Sequence, residues 1–256
     1  MAFDSHGNLY TVTSDVLRFA AGASGSTAPD LVLKSPAGYP MESVALDGND
    51  YLYAAYGDPT DAQGNFKGST LQVFAPNATS ASAPVMSMHV CLPWKRVVRL
   101  VVANNHLNIL CNDSYNIGVH VMIHTLYSGA ASLPEIYELY GAATNMYDGI
   151  GLALDANANV FLFNDNFDGN PGFPSGKWGD VYGPLLKNDV APAYTLAFPA
   201  SDGPAPDENP AFDPSGNLLY GTASGRIGVF APGARSPSGF IGFSSAHGSI
   251  GVAIGP

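Results

Sequence analysis

The stretch AFDPSGNLLYG, residues 211–221, has a near twin in MAFDSHGNLYT, residues 1–11. Both set an apolar pair before an aspartate, follow it with a turn of small polar residues, and return at once to an apolar run. Asp213 can accept hydrogen bonds from turn amides, Pro214 presets φ, and Gly216 tolerates a left-handed conformation where the chain reverses. The phrase is a hairpin written in sequence. It recurs as VALDGNDYLYAAY (44–56) and LALDANANVFLFND (152–165), with a degenerate copy, LVVANNHLNILCND (100–113), that lacks the turn aspartate. Asp4, Asp47, Asp155 and Asp213 therefore read as turn formers, repeated with a period of roughly 42 to 58 residues.

A second phrase follows each first one: FAAGASGSTAPDLVL (19–33), VFAPNATSASAPVMSM (73–88) and VFAPGARSPSGFIGF (229–243). Looser versions are MIHTLYSGAASLPEIYEL (122–139) and GPLLKNDVAPAYTLAF (183–198). Each unit holds four short apolar segments divided by Gly, Pro, Asn and Ser turns, which predicts one four-stranded sheet per repeat. SLPEIYELYGAA (132–143) alone admits a helical reading, and the repeat register predicts a strand there. The expected fold is all-β: a β-propeller of five four-stranded blades, with the first strand of each blade lining the axis, or of six if a segment is missing upstream. Residues 1–256 read as one domain. The end of the chain, 248–256 with SIGVAIGP, repeats the axial strand and predicts either closure of the propeller or strand addition to a neighbouring copy.

Composition narrows the function. Only 12% of residues are charged, and the formal charge is −11 with ten Lys plus Arg. Phosphate-backbone binding depends on clustered cations, so nucleic acid is a poor partner for such a chain. No apolar window is long enough for a membrane span. A charge-poor surface rich in Ser, Thr and Gly predicts an extracellular or cell-surface protein, with a leader absent from this sequence because MAFDSHGN has no basic and apolar signal regions. Asn77-Ala-Thr and Asn112-Asp-Ser are glycosylation acceptors in a eukaryotic secretory setting. The two cysteines, Cys91 and Cys111, fit either one disulfide or two buried thiols.

The units resemble NHL-type repeats, in which an axial strand, a D-x-x-G-N turn and a second strand recur around a propeller. The VFAPGA phrase is similar to repeats of exported bacterial proteins. A more distant resemblance is to the gluconolactonase and senescence-marker-protein propellers, which hold a divalent metal on the axis. Met41-Glu42-Ser43-Val44 resembles their E-G-P-x strand entrance. Asp148-Gly149-Ile150 resembles P-D-G-I with Tyr147 in place of the proline, and Asp207-Glu208-Asn209-Pro210 lies where P-N-G-I would be. That resemblance implies Ca²⁺ or another divalent ion on Glu42, Asp148 and Glu208, within a strand-entrance set that also includes Arg99 and His247. Such carboxylates would suit a hard cation, or a shared proton.

The long segments 57–70 and 164–180 are the expected walls of a ligand site, with Tyr56, Phe66, Trp178 and Tyr182 as aromatic contacts for a sugar or a protein. Asn164 to Ser175 matches the first half of an EF-hand loop but lacks the closing Glu. His120 and His124 share a strand face, and Trp94 gathers Lys95, Arg96 and Arg99 beside it. Nucleophile-elbow, dinucleotide, P-loop, C-x-x-C and H-E-x-x-H motifs are all absent from the sequence. The expectation is a non-catalytic exported binding or assembly module for a protein or carbohydrate, self-associating through its last strand. The alternative is a divalent-metal hydrolase or lactonase, its axial ion polarising a carbonyl.

Overall fold

A computed structural model describes residues 1–36, 39–65, 67–91, 95–113, 119–166, 169, 171–172, 174, 176–184, 189–199, 204, 210–222, 224–242 and 252–254. The strands form five four-stranded sheets, each in chain order. Blade one is β1 (Ala2–Phe3), β2 (Leu9–Val12), β3 (Val16–Phe19) and β4 (Leu31–Leu33); blade two is β5 (Met41–Leu46), β6 (Leu52–Gly57), β7 (Ser69–Phe74) and β8 (Met86–Val90). Blade three is β9 (Lys95–Ala103), β10 (His106–Asp113), β11 (His120–Thr125) and β12 (Glu135–Leu139). Blade four is β13 (Gly149–Leu154), β14 (Val160–Asn166), β15 (Gly176–Tyr182) and β16 (Tyr194–Ala197); blade five is β17 (Ala211–Phe212), β18 (Leu218–Gly221), β19 (Ile227–Phe230) and β20 (Gly239–Ile241). The fold is a five-bladed β-propeller, and its helical content among the described residues is one 3₁₀ turn, Ala142–Thr144. The segment 132–143 thus contains the expected strand, β12, and then this turn. No helix of the described residues is long and apolar enough to cross a membrane.

The repeated aspartate makes the first hairpin of four blades. In each, the Asp side chain accepts the amides two and four residues on: His6 and Asn8 for Asp4, Asn49 and Tyr51 for Asp47, Asn157 and Asn159 for Asp155, Ser215 and Asn217 for Asp213, all at 2.8–3.0 Å. The second carboxylate oxygen takes the Asn side chain at 2.7–2.8 Å in blades one, four and five. In blade two Tyr51 replaces that Asn, and the buried Tyr53 hydroxyl donates to Asp47 at 3.0 Å instead. The fourth turn residue is left-handed in every case, Gly7, Asp50, Ala158 and Gly216, with φ of 79°, 61°, 62° and 79°. A type I turn closed by such a residue is a standard three-residue hairpin loop. Blade three dispenses with the aspartate because Asn104 and Asn105 are both left-handed, φ 52° and 61°, and join Ala103 to His106 in a two-residue turn. A further copy of the device, Asp61-Ala62-Gln63-Gly64-Asn65, tips the long loop between β6 and β7.

The FAPGA-type phrase is a type II turn after the third strand. Ala23, Ala78 and Ala234 donate to Ala20, Ala75 and Ala231 at 2.9–3.2 Å. Gly22, Asn77 and Gly233 supply the positive φ that the turn requires, and Pro76 and Pro232 preset the residue before it.

Packing divides the chain into two compact units. The first gathers the chain up to Asp113 with Met122–Ile136. Here β5 lies against β1 on one side and β9 on the other. Every residue of β6 is buried, since both faces of a middle strand are covered; its LYAAYG therefore shows no alternation. Leu71, Val73, Leu107 and Ile109 form the centre of this core. A disulfide joins Cys91, just after β8, to Cys111 of β10, with Cα atoms 5.6 Å apart. The second unit is Tyr137–Ile254 with the short stretch ending at Val121. Its core holds Phe163, Phe198, Tyr220 and Phe230 in edge-to-face and tilted contacts, with ring centroids 5.0–5.9 Å apart. Tyr220 crosses directly over Gly228, where a Cβ would stand 2.2 Å from its ring.

Three substitutions test this account by chemical denaturation. Gly228→Ala displaces the Tyr220 ring and lowers stability by about 1–3 kcal/mol. Asp47→Ala strands two turn amides and the Tyr53 hydroxyl at a cost of about 1–3 kcal/mol. Breaking the disulfide by Cys111→Ala, which opens a loop of about 20 residues, costs about 3 kcal/mol.

Candidate functional site

The entrances of the inner strands share a geometric device. The pairing slips by one residue between Met41 and Ser43, between Val97 and Arg99, and between Gly149 and Gly151. The extra residues are Glu42, Val98 and Ile150, so these three are equivalent positions. Glu42 turns its carboxylate into blade two. Its Oε2 accepts from Ser69 Oγ at 2.6 Å, and Ser69 Oγ in turn accepts from the Val97 amide at 2.8 Å. Its Oε1 lies 2.7 Å from the point where Gly57 would carry a Cβ, so a side chain there would displace the carboxylate. Burial pushes the Glu42 carboxyl up to about 7, against the Ser69 hydrogen bond and the charge of Arg96.

The other predicted entrance residues are placed differently. Arg99 is buried and donates from Nη1 to the Val98 carbonyl at 2.8 Å. Asp148 sits before β13 with φ 27°, and its carbonyl accepts from the Asp165 amide at 3.1 Å. Glu208, His247 and Phe66 lie outside the described residues, as does Trp94. Of the three carboxylates that the family resemblance implies for a divalent ion, Glu42 and Asp148 are among the described residues and Glu208 is not. Hydrocarbon stands at two of the three equivalent positions, and Glu42 is already held by hydrogen bonds. Among the described residues no group of three or more His, Cys, Asp or Glu is placed to hold a metal.

Three of the four aromatic residues expected to wall a ligand site are core residues. Tyr56, Trp178 and Tyr182 are 0%, 4% and 1% exposed. They belong to β6 and β15, which are middle strands, so the insertions that follow or precede them do not draw them outward. The EF-hand-like segment is likewise strand at its start. Asn164, Asp165 and Asn166 end β14, and Asn166 Nδ2 donates to the Pro174 carbonyl at 3.0 Å; Phe167, Asp168, Asn170 and Ser175 lie outside the described residues. His120 pairs with Glu138 and stacks flat on Tyr140, whereas His124 meets the Leu133 carbonyl through Nδ1 at 3.0 Å. Of the two glycosylation sequons, Asn77 is exposed on its turn and Asn112 is buried in β10.

Sequence reading missed Asp180, the most buried carboxylate among the described residues of the second unit. It is 0% exposed in β15 and faces only donors: Trp178 Nε1 at 2.7 Å, Asn145 and Asn164 side chains at 3.2 Å, and Thr195 Oγ1 at 3.1 Å. Tyr182 donates its hydroxyl to the Thr144 carbonyl, fastening the 3₁₀ turn beside this cluster. Desolvation raises the Asp180 carboxyl to about 6 despite those donors. Its only signal in sequence is the W-G-D-V-Y alternation, which puts Trp178, Asp180 and Tyr182 on one strand face.

Open space occurs between blades. In the second unit a cavity of about 300 Å³ lies beside the contact of blade four with blade five, lined by Phe161, Tyr194 and Leu196 of the one, Phe212, Leu218 and Phe230 of the other, and the turn residues Asp155, Asn157 and Asn159. The Arg235 guanidinium stacks 5.1 Å from the centroid of the Tyr194 ring. In the first unit a cavity of about 460 Å³ lies between the outer strand of blade one and Asn77–Ser80 of blade two. That one is polar, bounded by the Arg18–Asp30 ion pair at 3.0 Å.

No family model matches the chain, and no curated protein matches its sequence. Among solved structures it is similar to a protein of unknown function from Bacteroides caccae, with TM-score 0.59 and 5% identity over 91% of this chain and 71% of that one. It is also similar to YCF48 bound to D1 peptide, with TM-score 0.50 and 12% identity over 94% of this chain and 65% of that one. At such identities the likeness concerns the fold.

The two raised carboxyls set the pH dependence of stability. Asp180 and Glu42 hold protons in the native state that the unfolded chain has released above about 4. Their stabilisation is complete below that pH and is lost as pH rises through about 6 for Asp180 and about 7 for Glu42. Asp15, Asp61 and Asp213 act in the opposite sense, their carboxyls lowered by hydrogen bonds from Lys34, Asn65 and Asn217 respectively. Thermal melting is expected to be highest near pH ~5 and to decline toward pH ~8. Asp180→Asn and Glu42→Gln should each flatten part of that decline, whatever they do to stability at a single pH.

Proposed function

We propose that this protein is a non-catalytic propeller that binds a protein partner. The observation that carries the reading is the apolar, aromatic-walled cavity between blades four and five, set against carboxylates that are engaged in internal hydrogen bonds. Glu42 and Asp180, the two with pKa values moved toward neutrality, are occupied by Ser69 and by a set of four donors. A general base must reach a substrate proton. A propeller scaffold hosts unrelated functions, so the site has to decide. A ligand site is ordinarily a concave, mostly apolar cleft with a few polar groups, and the cavity between blades four and five has that character. The peptide carried by the structurally similar YCF48 agrees with a protein partner.

The Cys91–Cys111 disulfide supports export, because such bonds persist in oxidising compartments. NHL-type ancestry is supported by the recurrent Asp-to-Asn turn. Self-association through 248–256 is part of the same reading; of that segment only 252–254 are described. The reading is tested by selecting peptides on the purified, oxidised protein from a displayed random library and measuring the selected peptides in solution. Recovery of related sequences that bind saturably is expected. Failure to recover any, together with turnover of ester or lactone substrates in the presence of Ca²⁺, would overturn it. Calcium addition is expected to leave the melting temperature unchanged.

A further inference from the structure

The repeat supplies its own comparison for the cavity between blades four and five. Asn159 and Tyr51 are equivalent, each being the residue whose amide donates to the turn aspartate four positions earlier. Phe161 and Tyr53 are equivalent, two residues further on. Ala231 and Tyr127 are also equivalent, each standing two residues before the left-handed glycine of its corner, Gly233 and Gly129, with φ of 76° and 92°. Between blades two and three, therefore, the same place in the fold is plugged from within. Tyr127 packs its ring 5.2 Å from Tyr51, and its amide donates to the Tyr53 hydroxyl at 2.8 Å. In the second unit the plug is an alanine, and the space is open and lined by Phe161, Tyr194, Phe212 and Phe230.

We propose that the cleft at Ala231 binds an aromatic side chain of the partner protein, taking from outside the ring that Tyr127 supplies to blade three from within. This rests on the binding-module reading. The walls suit the chemistry: Phe161 and Phe212 meet edge to face at 4.9 Å, and aromatic rings prefer such offset contacts over bare hydrocarbon. Arg235 on Tyr194 leaves a donor for the carbonyls of a bound chain. The cavity between blades one and two reaches only the end of its own corner, Asn77 and Ala78, and the Arg18–Asp30 pair borders it, so that burying a ring there would strip water from both charges. Ala231 is also the residue whose carbonyl closes the type II corner, so the ring would enter beside a rigid turn.

The probes are acetyl-Gly-Tyr-Gly-amide and acetyl-Gly-Ala-Gly-amide, titrated into the uniformly ¹⁵N-labelled protein. The tyrosine peptide is expected to give saturable amide shifts around Phe161, Phe212 and Ala231 at millimolar concentration, and the alanine peptide none. Ala231→Tyr, which reproduces the blade-three plug, should abolish those shifts while holding or raising the melting temperature. Ala231→Leu provides the same block should the larger side chain disturb the corner. Shifts that persist in a folded blocked variant, or equal shifts with both peptides, overturn the proposal. If library-selected peptides bind the blocked variants as tightly as the parent, the cleft assignment fails while the binding-module reading stands. If no selected peptide binds the parent, both fall.

Discussion

One carboxylate accepting two backbone amides is the interaction from which the rest of the structure is built. An amide in the apex of a tight hairpin has no strand partner, and a hydrogen bond from it to a charged acceptor contributes about 1.5–3 kcal/mol. Asp4, Asp47, Asp155 and Asp213 settle two such amides each and fix the hairpin loop at three residues. Loop length sets register, and register decides which side chains face the core. Once the innermost hairpin is pinned, the third strand pairs along the second, and in blades one, two and five a type II corner after it leads to the fourth at the outer edge. The middle strand is buried on both faces because blades pack face against face within each unit.

The same repeated frame accounts for the departures from it. Blade three reaches the same hairpin by two left-handed asparagines, so the loss of an aspartate costs no strand. Tyr51 in place of Asn removes a side-chain donor to Asp47, and Tyr53 replaces it through its hydroxyl. That hydroxyl also receives the Tyr127 amide, which links the turn of blade two to the corner of blade three. The aromatic plug and the aspartate turn are parts of one hydrogen-bonded chain in the first unit. In the second unit Phe161 stands at the Tyr53 position and has no hydroxyl, so the chain is broken where the cavity opens.

Buried carboxylates illustrate how a residue type can mislead. Glu42 looks like a metal ligand in sequence because Met41-Glu42-Ser43-Val44 resembles the strand entrance of a metal-holding propeller family. The strand bulge at Glu42 instead turns the side chain toward Ser69 and Gly57. A carboxyl raised by burial is often the mark of a catalytic group, but only where a substrate can approach it. Asp180 carries the same mark with its oxygens covered by Trp, Asn and Thr donors.

Repetition made the fold legible from residues alone: five copies of a turn phrase and a corner phrase, each with a physical reason for its Asp, Gly, Asn or Pro, predict five four-stranded blades before any coordinate is known. Strand identity at 135–139 was readable for the same reason, since register outweighed a short stretch of helical pattern. What sequence left open were matters of direction and distance. Tyr56, Trp178 and Tyr182 border long insertions in the chain, yet they stand on middle strands whose two faces are covered. The pairing of Cys91 with Cys111 needed the approach of β8 to β10, and the bulges at Glu42, Val98 and Ile150 needed the strand register. Alignment of the repeats sets Ala231 opposite Tyr127 as a change of size. Only the packing of blade four on blade five turns that change into a cavity, because the space beside an alanine is set by how the surrounding rings pack.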